Sequence, residues 1–232
     1  MANKRLPELG VDGLQQIISC FSRPRLSKYL KVTNNSELKS LKLYVINTKI
    51  SSALFSDIHY IEITLRNKFD KELAAGFGPE WFKEKRFLAL LNPLCQNMLI
   101  KAQNIAVRQS IKGSELLPGK VIAELTFGFW YYLTVSMFEH SLWVPYLHKS
   151  FLPRKAPKRS VFNQQIDKIR QLRNRIAHHE PIFHMNLLEL QLNIREVSKL
   201  LCPNITIIMK RTSTTKREIM ALSNYLRRCN AK

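Results

Sequence analysis

The sequence predicts an all-α protein, and three observations carry that expectation. Apolar residues recur in steps of three and four, no alternating strand pattern of useful length occurs, and the 232 residues include only seven glycines. No repeat or low-complexity tract interrupts the chain, which suits a compact bundle of antiparallel helices. With 45% hydrophobic residues the chain can bury one substantial core. A single domain over residues 1–232 is expected, with its core at about 36–201, N-terminal helices over 1–35 and a basic C-terminal helix over 202–232.

Taken in order, the first helices are expected over about 14–21 and 24–31. Asn35-Ser36-Glu37-Leu38 then supplies a cap and a first turn. Leu38, Leu41, Val45, Ile46, Ile50, Leu54, Ile58, Ile61, Leu65, Phe69 and Leu73 follow at helical spacing, until Gly76 and Gly78-Pro79 stop the run. One long helix results. Further helices are predicted over about 87–108, 120–138, 161–179, 186–201 and 215–228. The stretch 121–138 is the most apolar, but Glu124 interrupts it and Thr126, Tyr131, Tyr132, Thr134 and Ser136 are scattered through it. Too little hydrocarbon remains for a membrane span of about 20 residues, so this is read as a buried core helix and no membrane partner is expected. Trp81, Trp130 and Trp143, with Phe127 and Phe129, are assigned to the core because they stand among aliphatics.

Charge points to the partner. Thirty-seven Lys and Arg against 17 Asp and Glu give a formal net charge of +20, and the isoelectric point is near 10.1. Such an excess favours a polyanionic partner. Residues 149–160 carry Lys149, Arg154, Lys155, Lys158 and Arg159 with no acid and two prolines, so an exposed basic loop is expected there to track a phosphate backbone. Arg170 and Arg175 extend that basic surface along the following helix. The tail from Lys210 adds seven basic residues against the single acid Glu218.

The most informative stretch is Arg170-Gln171-Leu172-Arg173-Asn174-Arg175-Ile176-Ala177-His178-His179-Glu180-Pro181. Asn174 and His178 are an i, i+4 pair on one helix face. Arg173 stands beside Asn174 with a guanidinium suited to phosphate. Pro181 disfavours helix at Glu180, so the helix should stop near His179, leaving His178 at the negative end of the helix dipole. A His there can serve as acid or base. Earlier, Glu62 precedes Arg66 by four residues, the order that suits an intrahelical ion pair.

The stretch Arg173-Asn174-Arg175-Ile176-Ala177-His178 resembles the Arg-x4-His signature of the HEPN superfamily of helical nucleases, with Asn directly after Arg as in active members. The wider wording is similar to the Abi-like, or abortive-infection, branch of that superfamily. Three further stretches agree with it in order: Ser22-Arg23-Pro24-Arg25-Leu26-Ser27-Lys28-Tyr29-Leu30, Ile61-Glu62-Ile63-Thr64-Leu65-Arg66-Asn67 and Leu125-Thr126-Phe127-Gly128-Phe129-Trp130. The resemblance spans residues 22–183 and implies a HEPN-type bundle with added terminal helices. It implies metal-independent RNA cleavage in antiviral defence as a toxin component, with no cofactor. It assigns proton transfer to His178, charge stabilisation to Arg173 and phosphate or imidazole holding to Asn174, with His179 in a supporting place. It also implies a homodimer lining one cleft. Glu62 and Arg66 are expected to face the interior and orient the 173–178 helix, with Asn67 in a supporting place beside them.

Other chemistry is excluded by spacing. His179, Glu180 and His184 form HExxxH instead of HExxH, and Pro181 breaks the helix, so no metalloprotease site is expected. Gly113 to Lys120 fails as a phosphate loop, with five residues between Gly113 and Gly119 and Val121 where Ser or Thr is needed. Cys20, Cys95, Cys202 and Cys229 form no CxxC pair, so neither zinc nor a disulfide framework is signalled. His59, His140 and His148 have no chemical neighbourhood in the sequence. Met1 to Arg5 leads into polar residues and proline, so no secretory signal is expected and the chain is read as cytoplasmic. Two rival readings are a catalytically silent protein holding a structured small RNA and a DNA-binding regulator. The second is disfavoured because no helix-turn-helix spacing stands out.

Overall fold

The computed structural model describes residues 10–110, 117–151 and 156–230. These residues are all-α with no strand. In chain order the helices are α1 (Val11–Phe21), α2 (Arg23–Val32), α3 (Glu37–Phe77), α4 (Lys85–Leu88), α5 (Pro93–Arg108), α6 (Pro118–Glu124), α7 (Phe127–Tyr132), α8 (Arg159–Ala177), α9 (Leu187–Leu201), α10 (Pro203–Thr212) and α11 (Thr215–Asn230). No described helix is long and apolar enough to cross a membrane.

The long helix read from residue 37 is a single element of 41 residues. Two predicted helices are instead broken. Asn92 is extended at ψ 163 and its side chain accepts from the Cys95 amide at 2.9 Å, so α5 starts afresh at Pro93. Proline lacks an N–H and pushes the residue before it out of the helical region, which makes Asn92-Pro93 a start signal inside the 87–108 run. The 120–138 helix is likewise interrupted, because Leu125 and Thr126 are extended at ψ 121 and 158 between α6 and α7. On one continuous helix Val121, Ile122, Leu125, Phe127, Phe129 and Trp130 would point in all directions. The kinked path buries all six to 6% exposure or less. Where one basic C-terminal helix is expected over 202–232, the chain forms two, α10 and α11. The α10 run Ile205-Thr206-Ile207-Ile208 has no helical period, although Pro203 at the first position of the helix is a start signal.

The described residues form two compact units. One gathers residues 10–56, 174–191 and 213–230, the other 57–110, 117–151, 156–173 and 192–212. In the first unit Phe21 stacks on Tyr44 at 4.7 Å, Tyr29 meets Tyr44 at 5.3 Å and Phe183 at 5.0 Å, and Tyr225 donates to the Lys39 carbonyl at 2.8 Å.

The second unit is built on aromatic packing. Trp81 lies edge-on to Phe87 at 4.9 Å and to Trp130 at 6.1 Å, and its indole N–H donates to Asp70 at 2.8 Å. Phe162 packs on Phe151 at 4.9 Å and Trp143 at 5.6 Å. Trp81, Trp130, Trp143, Phe127 and Phe129 are all buried, as their neighbours in the sequence imply. Each such side chain contributes about 1.5–3 kcal/mol by burial, and edge-to-face pairs about 0.5–1.5 kcal/mol more. Gly76 near the end of α3 allows Tyr146 to approach, since a Cβ there would lie 2.5 Å from Tyr146 Cδ1.

Candidate functional site

In the first unit, α8 runs to Ala177 and closes with a two-bond cap. The Glu180 amide donates to the Arg175 carbonyl at 2.8 Å and the His179 amide to the Ile176 carbonyl at 2.9 Å. That is the Schellman pairing, and it requires a left-handed residue at the position His179 occupies with φ 56. Glycine is the usual residue there, so a β-carbon-bearing side chain is held in strain. The His178 amide still donates to the Asn174 carbonyl at 2.9 Å, so both residues keep helical register. Asn174 is half-buried, while His178 and His179 are exposed.

Two side chains from other elements hold this turn. Arg25 of α2 donates to the His179 carbonyl. Asn47 of α3, 5% exposed, accepts from the Ile182 and Phe183 amides at 2.8 and 3.1 Å. Residues 178–183 are thus tied at both ends, with Pro181 between the anchors. Arg175 pairs with Glu180 at 3.3 Å. His184 beyond the turn has its pKa lowered, first by loss of water around the ring and then by Lys28 and Arg175. Burial pushes the Tyr29 phenol up to about 12, with Tyr44 adding and Arg25 opposing, so it keeps its proton.

The sequence pointed to neither anchor. Arg25 lies in one of the stretches that carry the family resemblance, without a role there. Asn47 could have been found as a polar residue beside Ile46 on the buried side of α3.

In the second unit, Arg173 Nε donates to Glu62 Oε1 at 2.9 Å, both side chains being partly buried. In place of the Glu62–Arg66 pair that their spacing suggests, Glu62 holds Arg173, and Arg66 donates to the Asn67 side chain at 3.1 Å. Glu62, Arg66 and Arg173 line a cavity of about 340 Å³ together with His59, Thr126 and Trp130. His59 therefore has the chemical neighbourhood that the sequence did not reveal. The signal was its spacing, three residues before Glu62 and seven before Arg66 on one helical face.

The expected RNA-contacting residues divide. Lys149 and Lys158 are exposed, with Lys149 5.9 Å from the Tyr146 ring. Arg154 and Lys155 lie outside the described residues. Arg159 corrects the sequence reading: it opens α8, its side chain is 10% exposed, and it donates to Glu139 at 3.0 Å and to the Thr134 carbonyl at 2.8 Å. A guanidinium so placed ties a helix start to its neighbours instead of facing a polyanion. Arg170 is bound to Asp167 at 2.7 Å and lies over the Tyr131 ring at 4.6 Å. Among the described residues no group of three or more His, Cys, Asp or Glu is placed to hold a metal ion. The four cysteines are unpaired, and burial pushes the Cys95 thiol up to about 11.

Fold and site together define a strongly basic, all-α protein whose helix α8 ends in an Arg-Asn-x3-His-His turn anchored by side chains. The chain belongs to the Abi-like protein family, whose model matches residues 13–184. No curated protein and no solved structure gives a significant match.

Proposed function

We propose that the protein is a metal-independent RNA endonuclease of the HEPN type, acting in the cytoplasm as an abortive-infection toxin. Membership in the Abi-like family supports the defence role. The observation that carries the reading is the anchored end of α8: His178 is exposed on a turn that Arg25 and Asn47 hold, so its position is set before RNA arrives.

The strand's own 2′-hydroxyl attacks the adjacent phosphorus and the bond to O5′ breaks, leaving a cyclic phosphate and a 5′-hydroxyl. His178 takes the proton from the 2′-hydroxyl. Arg173, its plane fixed by Glu62, stabilises charge on the phosphorane oxygens, and Asn174 holds the phosphate or the imidazole. Transesterification is helped by an acid as well as a base, and a two-fold dimer supplies it as the partner subunit's His178, which protonates the leaving O5′. RNA is the substrate, and a cognate small RNA is the fitting restraint for such a toxin.

Expression of wild type beside His178→Ala and Arg173→Ala tests the reading. Wild type arrests growth and cleaves RNA, whereas both variants spare cells and RNA while keeping helicity and melting temperature. RNA lacking 2′-hydroxyls is spared by all three. A variant that cleaves normally overturns the assignment, and equal growth with wild type and His178→Ala favours the silent RNA-holding protein.

A further inference from the structure

The first unit contains a cavity of about 380 Å³ beside the turn that ends α8. Its walls are Tyr29 and Tyr44, Phe55, the hydroxyl-bearing Thr48, Ser51 and Ser52 of α3, and Ile176, Ala177, His179 and Glu180 on the turn side. We propose that this cavity holds one nucleobase of the bound RNA and so sets where the strand is cut. This rests on the reading of the chain as an RNA-binding nuclease and adds to it a base-selective subsite.

Three features carry the assignment. Aromatic walls suit a planar heterocycle, because single-stranded RNA is read largely by bases splayed out and stacked on such side chains. Phe55 is 41% exposed, so the aromatic lining reaches the surface where a strand would enter. Second, the polar groups point to an uncharged ligand. The neighbouring cations are committed, Arg25 to the His179 carbonyl and Arg175 to Glu180, while Glu180 brings a carboxylate to the wall. A phosphate would have to take a guanidinium from one of these partners and would face the Glu180 carboxylate at the wall. A base edge with N–H donors matches it, as carboxylates accept from exocyclic amines in nucleic-acid recognition.

Third, the Ser51 hydroxyl oxygen is buried with no hydrogen-bond partner among the described residues, in the wall of this same cavity. An unsatisfied buried hydroxyl costs a protein stability, and a ligand that bonds it removes the deficit. Such polar groups in an otherwise apolar concavity fix a ligand's orientation. Guanosine, adenosine and cytidine carry exocyclic amines, whereas the single base-edge donor of uridine, N3–H, lies between two carbonyl oxygens that would face Glu180, so uridine is the weakest ligand.

The test uses the full chain and the four ribonucleosides, with indole as control, followed by ligand-observed saturation-transfer NMR. RNA-end sequencing after cleavage provides a second readout. Amine-bearing nucleosides show transfer several-fold above uridine and indole. Ser52→Trp, at the exposed rim, abolishes it, and Ser51→Ala weakens it several-fold without lowering the melting temperature. In cleavage, wild type prefers one base at a fixed distance from the cut, and Ser52→Trp loses that preference while still cutting. Absence of nucleoside transfer, equal transfer to indole, transfer unchanged in Ser52→Trp, or a preference unchanged in that variant overturns the proposal. Nucleoside binding without any RNA cleavage upholds the base pocket and overturns the nuclease reading instead.

Discussion

At the scale of single residues, the site gathers side chains whose local preferences are set aside. His179 adopts φ 56 because the Schellman bonds from Glu180 and His179 and the Arg25 contact on its carbonyl outweigh the steric preference of a non-glycine residue. Replacing it with glycine relieves that strain. His179→Gly is expected to stabilise the fold by up to about 1 kcal/mol, which for a chain of this size is a rise in melting temperature of about 2–4 °C. A fall instead would show that the imidazole contributes more than the strain costs. The sequence made the residue types of the motif plain, but not His179's backbone state, because left-handed geometry at a non-glycine position depends on partners distant in the chain. For the same reason Glu62 looked like the partner of Arg66, when a residue 111 positions away holds it.

Elements show the balance between local signals and packing. The long α3 and the ends of α8 and α9 follow from periodicity and from Pro181, since apolar spacing and a stop residue act locally. The break between α6 and α7 does not, because it exists to turn six apolar side chains inward at once. Asn47 belongs to this scale too, as it joins the N-terminal third of α3 to the segment after α8 through two backbone amides. Removing its carbonyl leaves both donors unpaired. Asn47→Ala is therefore expected to destabilise by about 1–3 kcal/mol, with amide exchange accelerating first at Ile182 and Phe183. In the proposed reaction it also slows cleavage, because the turn carrying His178 loses one of its two anchors. Unchanged exchange at those amides would remove Asn47 from the account.

At the scale of the whole molecule, the charge of +20 is the dominant property. Several basic residues are spent internally: Arg159 on Glu139, Arg170 on Asp167, Arg173 on Glu62 and Arg175 on Glu180. With 37 basic residues and 17 acidic ones, an excess remains even if every acid is paired. Affinity for single-stranded RNA should fall with salt along a log–log slope of roughly −0.7 per phosphate neutralised. Lys149→Glu with Lys158→Glu, both at exposed positions, is expected to weaken binding and flatten that slope, measured by fluorescence anisotropy across a salt series. An unchanged slope would show these lysines to be merely solvated.

The sequence by itself determined the all-α class, the long central helix, the aromatic core and the family, because periodicity, burial tendency and short motifs are properties of residue type and spacing. Only the tertiary structure decided which cations are paired inside, that Arg25 and Asn47 anchor the end of α8, that His59 shares a cavity with Arg173, and that a second, aromatic cavity opens beside the His179 turn. Each of these depends on groups far apart in the chain. Hydrogen bonds and ion pairs form at contact range, and which distant residues come within that range is settled by how the helices pack, which no local pattern records.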